Sequence, residues 1–256
     1  MKMMLREPLG RKFSEIRPLK IETHVTRYAE GSALIRAGHT HVLCTATVEE
    51  NVPGWLAGKG RGWVSAEYSM LPRSTHSRVK RERGQVSGRT QEIQRLIGRA
   101  LRSMVDLKQL GERSILVDCD VIQADGGTRT ASITGGCVAL AMALGRLTRE
   151  GKIPALVFSD TVAAVSIGVM KQSILIDLDY NEDSQCEVDM NFVITGKEGL
   201  VEVQGTGEQN TFSKQDLLLM TDCAFEATRK IRVIQLEAIE TAQKRSPQKN
   251  SETNSE

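Results

Sequence analysis

The chain lacks most of the features that would place it in a membrane or an oxidising compartment. Its five cysteines stand at irregular spacings with no Cys-x-x-C pair, which gives neither a disulfide framework nor a zinc site. Cys44, Cys119 and Cys137 lie in apolar runs and read as small buried hydrophobes in a reducing compartment. No apolar run approaches the roughly 20 residues of a bilayer span, and the N-terminus has no apolar core of signal-peptide length. The formal net charge is only +2, so the distribution of charge is more informative than its sum. No Gly-Lys-Ser/Thr follows a glycine turn, excluding the Walker nucleotide pattern, and no Ser-His-Asp constellation can be placed. A cytoplasmic globular protein is expected, and 256 residues allow one large domain or two small ones.

What the chain does hold centres on Ala124-Asp125-Gly126-Gly127-Thr128-Arg129-Thr130. Before it, Ile115, Val117, Cys119 and Val121 alternate as in a strand; after it, Cys137, Leu140, Ala141, Leu144 and Leu147 recur at helical spacing. Glycines at such a junction let backbone N–H groups converge, and a helix start adds donors and partial positive charge. Arg129 and the hydroxyls of Thr128, Thr130 and Ser132 suit a small oxyanion such as phosphate. An ordinary strand-to-helix turn with an unremarkable arginine fits the same run equally well.

Residues 19–25, 33–37 and 42–48 read as a β-meander, with His39 and His41 placed on one strand face. Residues 51–83 carry little periodicity but much charge. From Lys59 to Arg102 eleven basic residues stand against three acids. Lys59, Arg61, Arg73, Arg78 and Arg81, with Trp55 and Trp63, form a candidate track for a polyanion such as RNA; a solvated loop is the alternative. Residues 91–105 read as an amphipathic helix, with Ile93, Leu96, Ile97 and Leu101 opposite Arg95, Arg99 and Arg102. Arg89 precedes it, with its phase nearer the apolar face, which calls for an anionic partner.

In the second half, strands are expected at residues 155–158, 163–169, 174–180, 186–194 and 200–203. A hairpin turning near Asp183 would set Asp177 opposite Asp189 and Asp179 opposite Glu187, a repulsion that a divalent ion would relieve. A long helix opens at Ser213, with Asp216 in a capping pattern. From Thr241 to the end the chain is polar and is expected to stay disordered. The whole reads as α/β (α+β), mixed sheets with flanking helices, and the order of strands and helices is compatible with a duplicated unit.

These residues also resemble a known family. Gly38-His39-Thr40-His41-Val42, Glu67-Tyr68-Ser69-Met70-Leu71-Pro72-Arg73, Gly88-Arg89-Thr90-Gln91-Glu92, Asp125-Gly126-Gly127-Thr128-Arg129, Val188-Asp189-Met190-Asn191 and Val201-Glu202-Val203-Gln204-Gly205-Thr206 resemble bacterial ribonuclease PH, in order and at near-family spacing. One departure is Pro8-Leu9-Gly10-Arg11, where Pro-Asp-Gly-Arg is commoner. The resemblance implies an RNase PH fold, with residues 1–240 as a single catalytic domain and 241–256 as a tail. It implies a phosphate-dependent 3′-to-5′ exoribonuclease acting on tRNA precursors and other RNA 3′ ends, assembled as a homohexamer (a trimer of dimers). Phosphate binding is implied for Arg89, Gly127, Thr128 and Arg129. Catalysis and a magnesium or manganese ion are implied for Asp183 and Asp189, and RNA contact for the loop holding Arg73, Arg78 and Arg81. A non-catalytic RNA-binding ring subunit is the alternative.

Overall fold

A computed structural model describes residue 6, residues 10–82 and residues 84–245. Arg83 of the basic run, Pro8 and Leu9 of the N-terminal motif, and residues 246–256 of the expected tail lie outside the described residues.

The first sheet has the order β1-β2-β3-β5-β4. It is built from β1 (Leu19–Thr23), β2 (Gly31–Ala37), β3 (Thr40–Glu49), β4 (Trp63–Met70) and β5 (Ser114–Gln123). The meander and the central strand form where the alternation of Ala33 and Ile35, Val42, Cys44 and Ala46, and Ile115, Val117, Cys119 and Val121 places them, all buried on one face. β4 arises within the stretch that shows little periodicity. It is an edge strand, parallel to β5, whose inward residues Val64 and Tyr68 are separated by Ser, Ala and Glu.

Three helices accompany the first sheet: α1 (Gly88–Arg102) and the single turn α2 (Leu107–Leu110) connect β4 to β5, and α3 (Thr128–Arg149) follows β5. Ser87 caps α1 by accepting from Thr90 N. α3 is long and apolar enough, by length and composition, to cross a bilayer. Instead it packs between β2, β3 and β5 on one side and β6 on the other, so protein rather than lipid satisfies its surface.

Beyond α3 the expected strand at residues 155–158 is a short 3-10 turn, Ala155–Val157. Pro154 leads into it, and a segment of three residues bounded by proline is too short to pair. The second sheet has the order β7-β6-β8-β9, from β6 (Val162–Met170), β7 (Ser173–Ile176), β8 (Val188–Thr195) and β9 (Leu200–Gly207). Between β7 and β8 lies the single turn α4 (Tyr180–Asp183). The core face of this second sheet, with Val165, Ile167, Met190 and Phe192, is covered by α5 (Lys214–Arg245). α5 starts as expected, Ser213 and Asp216 exchanging hydrogen bonds, but it runs four residues past Thr241, with Ala242 still buried against the core.

The acidic hairpin is not formed. β7 pairs with β6, not β8, because the chain leaves the sheet at Asp177, whose φ is +58°. Asp177 pairs with Arg17 and Asp179 caps α4 through a reciprocal bond with Glu182. The repulsion inferred between facing carboxylates therefore does not arise at those residues.

Candidate active site

The helix starts of α1 and α3 and the facing strands β8 and β9 converge on one cavity of about 490 Å³. Arg89 and Arg129, the second residues of α1 and α3, line it. Across from them stand Asp183, from the end of α4, and Asp189, on β8. In the β8–β9 register Asp189 lies beside Thr206 and Asn191 beside Gln204. The period of two puts all four on the cavity face, while Val188, Met190, Phe192 and Ile194 enter the core.

The two arginines differ in how they are held. Arg129 donates to Gln204 Oε1 at 2.7 Å and lies 3.6 Å from Glu92, while Gln204 donates to Glu92 at 3.1 Å. Arg89 is exposed, and among the described residues no hydrogen bond or ion pair engages it. The inward phase expected for it is not realised: at the first turn of α1 its long side chain extends into the cavity rather than onto the core.

The turn leading into α3 leaves backbone donors open at its helix end. Gly126 and Gly127 have φ of +70° and +60°, in the region that favours glycine. Among the described residues no side chain caps α3, so its first N–H groups and their partial charge stay open. Thr128 Oγ1 lies 2.9 Å from Tyr68 Oη on β4, which fixes its rotamer. Of the other two hydroxyls read as suited to an oxyanion, Thr130 donates to Gly127 O, and Ser132 is fully buried with no partner among the described residues.

Both acids of the cavity are held above the ordinary carboxylate range. Burial pushes the Asp189 carboxyl up to about 6, with the charge of Asp183 adding to the rise and Arg129 opposing it. Asp189 Oδ1 is buried and has no hydrogen-bond partner among the described residues. Asp183 stands on the rim; the surrounding protein still raises its carboxyl, and Arg129 and Arg89 pull it back. Among the described residues no group of three His, Cys, Asp or Glu could enclose a metal. Two carboxylates, one with an orphaned oxygen, do fit magnesium or manganese, which keep several waters and take one or two protein oxygens.

The basic track is divided by the fold. β4 and β5 end at the cavity side, so the loop after β4, with Arg73, Arg78 and Arg81, lies at that end. Arg73 lines a neighbouring cavity with His39 and His76, behind Asp125. Lys59 and Arg61 precede β4 and stand at the opposite end of the sheet, about 25 Å away for an eight-residue strand. Trp63 is packed edge-on against Trp55 and lies under Arg102, at 4.4 Å; only Trp55 remains exposed. The arginine face of α1 is partly used within the fold, Arg99 pairing with Glu202 on β9. His39 and His41 do not share a strand face, since His39 sits in the turn before β3. Gln204, Asn191 and Glu92 line the cavity without having stood out by their local pattern; only the β8–β9 pairing and the α1 approach bring them there.

Two sheets enclosing one long helix form a fold that solved structures of other proteins share. Rice (Oryza sativa) Rrp46 superposes with a TM-score of 0.73 at 18% identity, covering 90% of this chain and 98% of that one. A chain of the Archaeoglobus fulgidus exosome, solved with RNA bound to its active site, gives 0.74 at 22% identity, covering 90% and 92%. The sequence narrows the class. Residues 15–144 match the model of the 3′ exoribonuclease family, domain 1, and residues 160–227 that of domain 2. Ribonuclease PH of Moorella thermoacetica is 55% identical over 232 residues, 90% of this chain and 93% of the relative. That of Bacillus subtilis is 57% identical over 211 residues, 81% and 86%. The chain belongs to the ribonuclease PH family.

Proposed function

We infer that the chain is a phosphorolytic 3′-to-5′ exoribonuclease and nucleotidyltransferase, working at the cavity between the α1 and α3 helix starts and the β8 carboxylates. One observation carries this: two helix-start arginines face two carboxylates with raised pKa across a single polar space. Arg89, Arg129, the Gly127 backbone and Thr128 hold inorganic phosphate in line with the last phosphodiester of an RNA 3′ end. A phosphate oxygen forms a bond to that phosphorus as the bond to the upstream 3′-oxygen breaks. The products are a nucleoside diphosphate and an RNA one nucleotide shorter. Negative charge spreads over equatorial oxygens and the leaving oxygen, so positioning and cations supply most of the acceleration. The leaving 3′-oxygen takes up a proton from water; direct donation by Asp189 is the second reading, and the pH profile of kcat separates the two. Asp183 and Asp189 would hold a magnesium or manganese ion, whose chemistry when bound is to stabilise charge on the departing oxygen. A bond of comparable energy is made as one is broken, so the reaction runs backwards with diphosphates.

The substrates are tRNA precursors and other RNA 3′ ends, reached through the Arg73, Arg78 and Arg81 loop. The working form is a cytoplasmic homohexamer, a trimer of dimers, with residues 1–240 as its catalytic domain. An RNA-binding subunit without activity would gain nothing from two costly carboxylates beside an uncapped helix start. The test is incubation with 3′-labelled RNA and magnesium, with and without phosphate. Labelled diphosphate only in the presence of phosphate is expected; labelled monophosphate, or equal release in both, would overturn the reading.

A further inference from the structure

Three arginines before β1 are withdrawn from water although none lines the cavity: Arg6, Arg11 and Arg17 are 4%, 7% and 1% exposed. Buried charge at this level is costly unless it is paired. Arg6 and Arg11 both reach Glu182, the residue of α4 next to Asp183. Arg17 reaches further. Its Nε and Nη2 bind the Asp177 carboxylate at 3.1 and 2.7 Å, and its backbone N–H donates to the same group at 2.7 Å. Its Nη1 donates to Asp125 O at 2.5 Å and lies 3.5 Å from Gly126 O. One guanidinium thus joins the segment that leads to Asp183 with the turn that leads to Arg129.

We propose that Arg17 is a positioning residue, which aims the amides of the anion turn and docks that turn onto the carboxylate segment. The inference rests on the phosphorolytic reading of the cavity. In a trans peptide the C=O and N–H point to opposite sides. By drawing the carbonyls of Asp125 and Gly126 toward itself, Arg17 turns the N–H groups of Gly126 and Gly127 away, to the side where the anion is held. Neither amide donates to a protein acceptor among the described residues. Thr40 secures the same arrangement, donating to Gly126 O at 2.6 Å and accepting from Asp125 N at 2.9 Å.

A second, independent observation supports the docking. A Cβ at Gly126 would stand 2.5 Å from Asp179 C and 2.7 Å from Leu178 O. The anion turn therefore lies directly on the backbone of the residues that cap α4, and Asp179 transmits that contact to α4 through its capping bond to Glu182 N at 2.9 Å. Asp177 accepts the left-handed φ of +58° that this contact requires, a conformation stabilised here by the Arg17 fork.

The experiment is steady-state phosphorolysis by Arg17→Lys at saturating RNA with varied phosphate, beside wild type. Lysine retains a charge for Asp177 but cannot span a carboxylate and two carbonyls. The KM for phosphate should rise at least tenfold, while RNA affinity measured without phosphate stays within twofold. Where Arg17→Lys fails to fold, Arg17→Met/Asp177→Asn removes both charges and keeps a residue that tolerates positive φ, with the same expected rise. An unchanged phosphate KM, with kcat falling only in proportion to the folded fraction, would mean that Arg17 serves stability alone and would overturn the proposal. Failure of wild type to release diphosphate would instead overturn the phosphorolytic reading.

Discussion

Asp189 holds its proton to about pH 6 because burial and Asp183 both oppose its charge. Two consequences differ in sign. For stability, a carboxyl raised by the fold contributes an unfavourable charge above its folded pKa, and that cost vanishes as pH falls through about 6 toward the ordinary carboxylate range. Asp189→Asn should therefore be more stable than wild type at pH 7.5, by on the order of 1 kcal/mol or a few degrees in melting temperature. The same change should lower kcat by at least about a thousandfold. For activity, Asp189 lines the cavity and its ionised form is the one that holds a cation, so wild-type kcat at saturating magnesium should rise with pH through about 6 and then level. A decline above 6 would assign Asp189 as the general acid instead. Arg89 offers the companion test. With no partner to release among the described residues, Arg89→Ala should lose about a hundredfold or more in kcat/KM for phosphate, roughly the worth of one anion-stabilising donor, with RNA binding retained.

At the scale of elements, β4 separates two groups of basic residues that are continuous in sequence. Replacing Arg73, Arg78 and Arg81 together by Ala should weaken RNA binding and reduce the slope of log K against log salt by about 2, near 0.7 for each single-strand phosphate no longer neutralised. Lys59 and Arg61, about 25 Å away by strand length, should leave the binding of short oligonucleotides unchanged when replaced. Equal effects from both sets would place the RNA elsewhere. The division was illegible in the sequence because β4 pairs through its backbone with β5, some fifty residues on, while its own side chains barely alternate in polarity. Local patterns served where the cause was local: β3, β5, the Gly126-Gly127 turn, the α5 cap and the inward face of β8 all formed where their residues placed them. They failed at Asp177, where alternation continues through a residue that in fact turns out of the sheet to meet Arg17, 160 positions earlier. The anion turn was legible for its glycines.

For the whole molecule, the site exists only where the two sheets meet. Arg89 and Arg129 belong to the side of the first sheet, and Asp183, Asp189 and Gln204 to the second. α3 is the shared wall, so a fault in its packing should reach both halves. Gly31 on β2 is the sharpest such point: an added Cβ would stand 2.0 Å from Ala139 O of α3, a backbone atom that cannot rotate away. Gly31→Ala should therefore cost about 2–3 kcal/mol or more, whereas Gly54→Ala, with open space around it, should be close to neutral. Both tryptophans lie in the first half, so their fluorescence follows that half alone, while helix ellipticity includes α5 and activity needs the junction. If α3 welds the halves into one cooperative unit, all three signals should be lost at one denaturant concentration in wild type, and at one lower concentration in Gly31→Ala. Fluorescence changing while ellipticity from α5 persists would show that the second sheet and α5 stand without α3, and that the junction is a docking of two stable bodies.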